Sequence, residues 1–79
     1  MLIAELRGAF FDSAQVHVDV LRRATRLDDW HGAASRLHNL AASFGALRLM
    51  DVATEAARAS KIDAAQLRKI ERAIAALDL

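Results

Sequence analysis

The sequence contains no cysteine and no proline, and it has only three glycines. Without cysteine there is neither a disulfide framework nor a thiolate metal site, and a reducing compartment is the simplest expectation. Proline and glycine are the residues that most disfavour the interior of a helix. Their scarcity, in a chain rich in alanine, leucine and arginine, favours helix over sheet.

Aromatic residues, net charge and long apolar runs are also scarce. Three phenylalanines and one tryptophan leave the core to leucine, isoleucine, valine and alanine. With 11 Lys and Arg against 10 Asp and Glu, the chain lacks the basic excess of nucleic-acid binders. No apolar run approaches the roughly 20 residues that span a bilayer. We therefore expect one soluble, cytoplasmic domain over residues 1–79, with no nucleic-acid or membrane partner.

Apolar residues recur three and four positions apart in four successive segments, as they do on one face of a helix. The first segment predicts a helix over residues 2–24. Its phase changes near Phe10 and Phe11, and Asp12 and Ser13 follow, which indicates a bend or a new helix start there.

The second segment predicts a helix over residues 30–44. Asp28 or Asp29 is expected to cap it by accepting hydrogen bonds from its first free amides, with Trp30 as a core anchor. Gly45 is expected to end it, because the residue after a helix often takes the left-handed conformation that glycine adopts cheaply.

The third predicted helix covers residues 47–59, and a fourth follows it. The buried edge of the third is expected to comprise Leu47, Met50, Ala53 and Ala57. Ser60 is expected to cap the fourth helix, with Asp63 in a reciprocal capping arrangement. Short connections favour antiparallel neighbours, so the predicted fold is all-α, an antiparallel up-down four-helix bundle.

Three histidines are the side chains that titrate near neutrality. His17 lies among apolar residues and is expected at the edge of the bundle. His31 and His38 are two helical turns apart, with Ser35 rather than a ligand between them, which does not fit a metal site. The glycines are isolated, so no phosphate-binding loop is present. The sequence predicts no metal, no cofactor and no self-sufficient enzyme.

The stretch ASRLHNLAASFGALRL, residues 34–49, resembles the signature of histidine-containing phosphotransfer (HPt) domains, the four-helix modules of bacterial-type two-component signalling. In that family an exposed histidine on the second bundle helix is followed by x-Leu-Lys-Gly, small residues, an apolar-Gly-Ala ending and a leucine-rich helix. The resemblance implies phosphorelay, with a response-regulator receiver domain or a histidine kinase as partner.

Two alignments of this stretch compete. If Phe44-Gly45-Ala46 is aligned without gaps, the phosphorylated histidine of the family falls on Ser35, its lysine on His38 and its glycine on Asn39. This alignment implies a phosphorylation-dead relative that docks on a kinase or receiver and regulates it.

If Asp29-Trp30 is aligned as the opening of the second helix instead, the phosphorylated histidine falls on His38. The helix is then about one turn short before Gly45, and alanine replaces the lysine that balances the phosphate charge. Helical phase places Ser35 fully outward and His38 on the flank of the apolar stripe. A serine ester is too stable for exchange with an aspartyl phosphate, so only His38, or with less support His31, fits the chemistry.

The second alignment thus implies His38 as the phosphoacceptor, whereas the gap-free alignment implies a phosphorylation-dead domain, and the sequence leaves both open. The expected partner-binding face lies around His38 on the same helix and consists of Ser35, Asn39, Ala42, His31 and Arg36. The apolar face of Val16, Val18 and Val20 on the first helix could be buried within a monomer or across a homodimer, and the sequence leaves both open.

Overall fold

The computed structural model describes residues 2–77, with side chains from residue 8 onward. Over this range the chain is all-helical and contains no strand, as predicted. The elements are α1 (Leu2–Arg23), α2 (Leu27–Phe44), α3 (Leu47–Ala57) and α4 (Ala64–Ala75). Each helix packs against the next along the chain, and α4 packs back against α1. The four helices thus form a helical bundle around one core.

The core is built from a few large side chains and many alanines. The largest fully buried side chains are Trp30, Phe10, Leu21, Leu37, Leu49, Ile70 and Val18. Eight alanines complete the buried set, and their small side chains let neighbouring helices approach closely. No polar or charged side chain is buried in the described part of the chain.

Helix α1 is continuous through the point at which a bend or new start was expected. Phe10, Ala14, Val18 and Leu21 form one uninterrupted buried row, so the apolar phase does not restart at Phe11. The ring of Phe11 instead lies beside that of Phe10, with ring centroids 5.4 Å apart. The predicted second start is therefore wrong.

No helix within residues 2–77 is both long and apolar enough to cross a membrane.

Helix α2 begins at Leu27, three residues before the predicted start. Arg26 occupies the N-cap position in an extended conformation, and its side chain makes no capping bond. Asp28 and Asp29 lie inside the first turn, so the prediction that one of them caps the helix is wrong. Their carboxylates still lie near the free amides, where negative charge is favourable. Trp30 is buried, as predicted.

The corner between α2 and α3 has the predicted glycine. Gly45 adopts the left-handed conformation, with φ +68°. Its N–H donates to the carbonyl of Ala42 at 3.2 Å, and the N–H of Ala46 donates to that of Ala41 at 2.9 Å. Helix α3 then begins at once, so two residues connect the helices that form the groove described below.

Helix α3 ends at Ala57. Its buried edge includes Ala53, as predicted, but is rotated away from Leu47. Leu47 is 71% exposed, whereas Leu49 is fully buried. At 100° per residue these two side chains lie about 200° apart, on opposite sides of the helix. The buried row consists of Ala46, Leu49, Ala53 and Ala56. The flank carrying Met50 and Thr54 is left beside α2.

Helix α4 is capped by Asp63 rather than Ser60. The Asp63 carboxylate accepts a hydrogen bond from the Ala65 N–H at 2.9 Å, and the backbone of Asp63 is extended, as an N-cap requires. Ser60 lies three residues earlier, in the connection. Ile70 of α4 is buried in the common core.

Candidate functional site: a groove between α2 and α3

One row of side chains on α2 runs along the side that faces α3. His31, Ser35, His38 and Ala42 follow one another at spacings of four, three and four residues. At 100° per residue they occupy a sector of only about 60°. The sequence periodicity alone therefore brings four of the predicted site residues to one edge of the helix.

Between this row and α3 lies an open groove of about 280 Å³. Its walls are formed by Ser35, His38, Asn39, Thr54, Ala57 and Arg58. Three of the predicted site residues thus share one groove with two polar residues that the sequence analysis missed, Thr54 of α3 and Arg58 directly after it. These two lie four residues apart on one flank of α3, but the sequence does not show which helix that flank faces.

His38 is half-buried in this groove. Its ring makes no hydrogen bond to any of the described residues, whereas the hydroxyl of Thr54 across the groove is engaged. The hydroxyl of Thr54 donates to the carbonyl of Met50 at 2.8 Å, which leaves only its oxygen lone pairs for a ligand. The imidazole of His38 is therefore a nucleophilic nitrogen available at the groove.

His31 lies at the end of the same row and has a different role. Its Nε2 is 2.6 Å from the carbonyl oxygen of Ala59. Because a carbonyl only accepts, Nε2–H is the donor and the ring is tied to the segment after α3. The neighbouring Trp30 donates from Nε1 to the carbonyl of Ala56 at 2.9 Å. Together these bonds fix the end of α3 against α2.

Arg58 gives the groove a positive charge. It follows the last residue of α3, is exposed, and forms no ion pair with a carboxylate of the described residues. Ser35, Asn39 and Ala42 are exposed as well. The surface around His38 therefore consists of short side chains, two of which are polar.

Arg36, which was predicted on the partner-binding face, lies on the other flank of α2. It faces α1, where it lies close to His17. The burial of His17, which is the larger cause, and the positive charge of Arg36 both lower the pKa of His17. His17 itself is half-buried at the edge of the bundle, as expected. The structure therefore separates Arg36 and His17 from the groove.

No group of three or more histidines and carboxylates in the described region is placed to hold a metal ion.

No curated protein and no solved structure gave a match to the chain. The family model of the Hpt domain, in contrast, matches residues 5–79, which is nearly the whole chain. With the helical bundle and the groove beside His38, this match shows that the chain belongs to the Hpt domain family of phosphorelay signalling modules.

Proposed function

We propose that this protein relays phosphoryl groups in the cytoplasm, with His38 as the acceptor and a receiver domain or histidine kinase as partner. Family membership implies phosphorelay in general. The observation that supports His38 in particular is its position in the open α2–α3 groove with a free imidazole ring. The proposal includes an antiparallel arrangement of the helices, which the two-residue connection between α2 and α3 supports.

The environments of the three histidines differ enough to favour one of them. His31 uses Nε2 to hold the carbonyl of Ala59, so phosphorylation at that atom would break a structural hydrogen bond. His17 lies on the α1 side beside Arg36, away from the groove. His38 combines a free ring with an open approach, since Ser35 and Ala42 on either side of it are small.

The proposed step is a substitution at phosphorus. A neutral ring nitrogen of His38 donates its electron pair to the phosphorus of a receiver aspartyl phosphate. The phosphorus–oxygen bond to the aspartate breaks, and its electron pair leaves with the carboxylate. The product is a phosphoramidate whose second ring nitrogen keeps its proton, so the imidazolium charge balances the carboxylate released. Transfer to a second receiver reverses these steps.

Ser35 favours a second candidate function, docking without phosphorylation. It is exposed on the groove, at the position that the gap-free alignment equates with the family's histidine. Helix α2 also opens at Leu27, so Asp29-Trp30 is not the helix opening that the alternative alignment assumes. A module of this kind would bind a kinase or receiver through the same face and regulate it.

The decisive experiment measures phosphoryl transfer from a set of phosphorylated receiver domains. We expect the wild-type protein to take an acid-labile, alkali-stable label. His38→Gln should take none, while His17→Gln, altered on the α1 side, should be labelled like the wild type. Label retained in His38→Gln would contradict the assignment of the acceptor. Absence of label in the wild type would contradict the relay function.

Docking is tested separately with the receivers or kinases that bind the wild-type protein. Ala42→Glu should weaken binding, because it places a larger, charged side chain on the exposed face next to His38. Ala65→Glu is the matched control, since Ala65 is also exposed but lies in the first turn of α4. Docking alone predicts that His38→Gln binds like the wild type. Equal binding by both glutamate variants would exclude this face.

A further inference from the structure

The second helix lacks a cation where an HPt-like signature carries its lysine. With His38 as the acceptor, the lysine position falls on Ala41, which is fully buried and uncharged. A phosphoryl group on His38 would thus have no counter-charge from the next turn of its own helix. Uncompensated, two negative charges at a half-buried position would be costly.

The facing helix provides a cation at the same groove. Arg58 lines it together with His38. A guanidinium is permanently charged and presents several N–H donors in one plane, which suits it to phosphate oxygens. Since Arg58 is paired with no carboxylate in the described part of the chain, no ion pair there would have to be broken.

The remaining groove residues also suit a tetrahedral oxyanion. Ser35 offers a hydroxyl donor and Asn39 an amide donor on the α2 wall. Thr54 is different, because its hydroxyl proton is used at the carbonyl of Met50. Among the described residues, no carboxylate lines the groove, so none of its known wall residues would repel a phosphoryl group.

We propose that Arg58, directly after α3, supplies the counter-charge missing from α2 and makes this groove a binding site for a phosphoryl group, held between Arg58 and His38. This inference rests on the proposed function and extends it. Arg58 acts as a positioning residue: it neutralises charge on the phosphoryl oxygens, while His38 forms the bond. It would do the same for a phosphoryl group still attached to a partner's aspartate.

The first test measures the rate of labelling from a phosphorylated receiver. Loss of a charge-assisted hydrogen bond predicts that Arg58→Gln slows labelling about tenfold or more. Arg58→Lys should recover part of the rate because it keeps the charge without the planar fork. Arg68→Gln is the matched control, as it removes an exposed arginine of α4 that lies outside the predicted site, and its rate should match the wild type.

The second test needs no partner and no covalent step. Inorganic phosphate is titrated into the unphosphorylated protein at fixed pH and ionic strength, with the His38 ring signals followed by NMR. Wild type and Arg68→Gln should show a saturable shift that Arg58→Gln loses. Circular dichroism of the variants checks that each remains folded.

The two tests separate the failure of this inference from the failure of the proposed function. A phosphate response that depends on Arg58, in a protein that takes no label, would retain the site and reject His38 as acceptor. Normal labelling of Arg58→Gln would reject the role of Arg58 and retain the acceptor. A wild-type protein whose His38 signals ignore phosphate, or an unchanged response in Arg58→Gln, would also overturn the inference.

Discussion

At the scale of single residues, the indole of Trp30 links α2 to α3 in two ways. Its ring is buried in the core, and its Nε1–H donates to the carbonyl of Ala56. Trp30→Phe keeps an aromatic ring but removes the donor and leaves unfilled volume. We expect a loss of about 2 kcal/mol in the free energy of unfolding, measured by urea denaturation with circular dichroism.

Leu47→Ala is the control for that measurement. Leu47 belongs to the predicted buried edge of α3 but is 71% exposed, so its truncation should change stability by no more than about 0.5 kcal/mol. A loss in Leu47→Ala as large as that in Trp30→Phe would contradict the observed phase of α3.

His17 makes the stability depend on pH. Burial and the charge of Arg36 lower its pKa from the ordinary value of 6.5. The unfolded chain therefore binds a proton at a higher pH than the folded one, and stability falls as pH drops through 6.5 towards the folded pKa. Above 6.5 both states are neutral at this site and the penalty is absent.

Urea denaturation on either side of the ordinary histidine pKa measures this effect. The fall in stability on acidification should be smaller in His17→Gln, which has no titrating group at this position. It should also be smaller in Arg36→Gln, because one of the two causes of the lowered pKa is gone. An identical fall in wild type and His17→Gln would show that His17 does not couple to folding.

At the scale of helices, the glycine inside α2 and the glycine that follows it should respond to the same substitution in opposite directions. Gly45 has φ +68°, and an added Cβ meets no atom within 4 Å, so Gly45→Ala suffers backbone strain alone, about 1–2 kcal/mol. Gly32 lies inside the helix, also with open space around an added Cβ. Gly32→Ala should therefore stabilise the protein by about 0.5–1 kcal/mol.

Thermal unfolding of both variants against the wild type checks this pair. Gly45→Asn should lose less than Gly45→Ala, because asparagine tolerates the left-handed region better than alanine does. If Gly45→Ala were as stable as Gly32→Ala, the left-handed turn between α2 and α3 would have to be abandoned.

Periodicity predicted the existence of all four helices, because apolar spacing follows from which face is buried. Their ends were less predictable. Helix α2 begins at Leu27, and Arg26 provides no side-chain cap. The capping residues Asp28 and Asp29 therefore led to a predicted start about one turn too late. The carboxylate of Asp63 caps α4, although the hydroxyl of Ser60, three residues earlier, is also a suitable capping group. Local chemistry alone does not choose between such neighbours, since packing decides where the chain turns.

The residues of the candidate site were likewise predictable only in part. Ser35, His38 and Asn39 were predictable, because helical phase and the family resemblance both concern α2 alone. Arg58 and Thr54 were not, because their importance depends on which flank of α3 faces α2. That flank was mistaken when Leu47 was placed at the buried edge, and it became visible only with the packing of Leu49.

At the scale of the whole molecule, the four helices share one core and should unfold together. Leu37 of α2 is fully buried in that core. A domain of 79 residues has a total stability of about 4–12 kcal/mol. Leu37→Ala should remove about 3 kcal/mol of it, so one truncation takes a large share of what holds all the helices.

Circular dichroism reports the helices and the fluorescence of Trp30 reports the core, so the two signals test cooperativity directly. In the wild type and in Leu37→Ala both should change at the same urea concentration, because no helix has a second core to support it. Val16→Ala is the control, since Val16 is 59% exposed on α1 and its truncation should leave the midpoint nearly unchanged. If fluorescence changed at lower urea than ellipticity, helices would persist after the core had opened, and a site built across α2 and α3 would be lost before the fold.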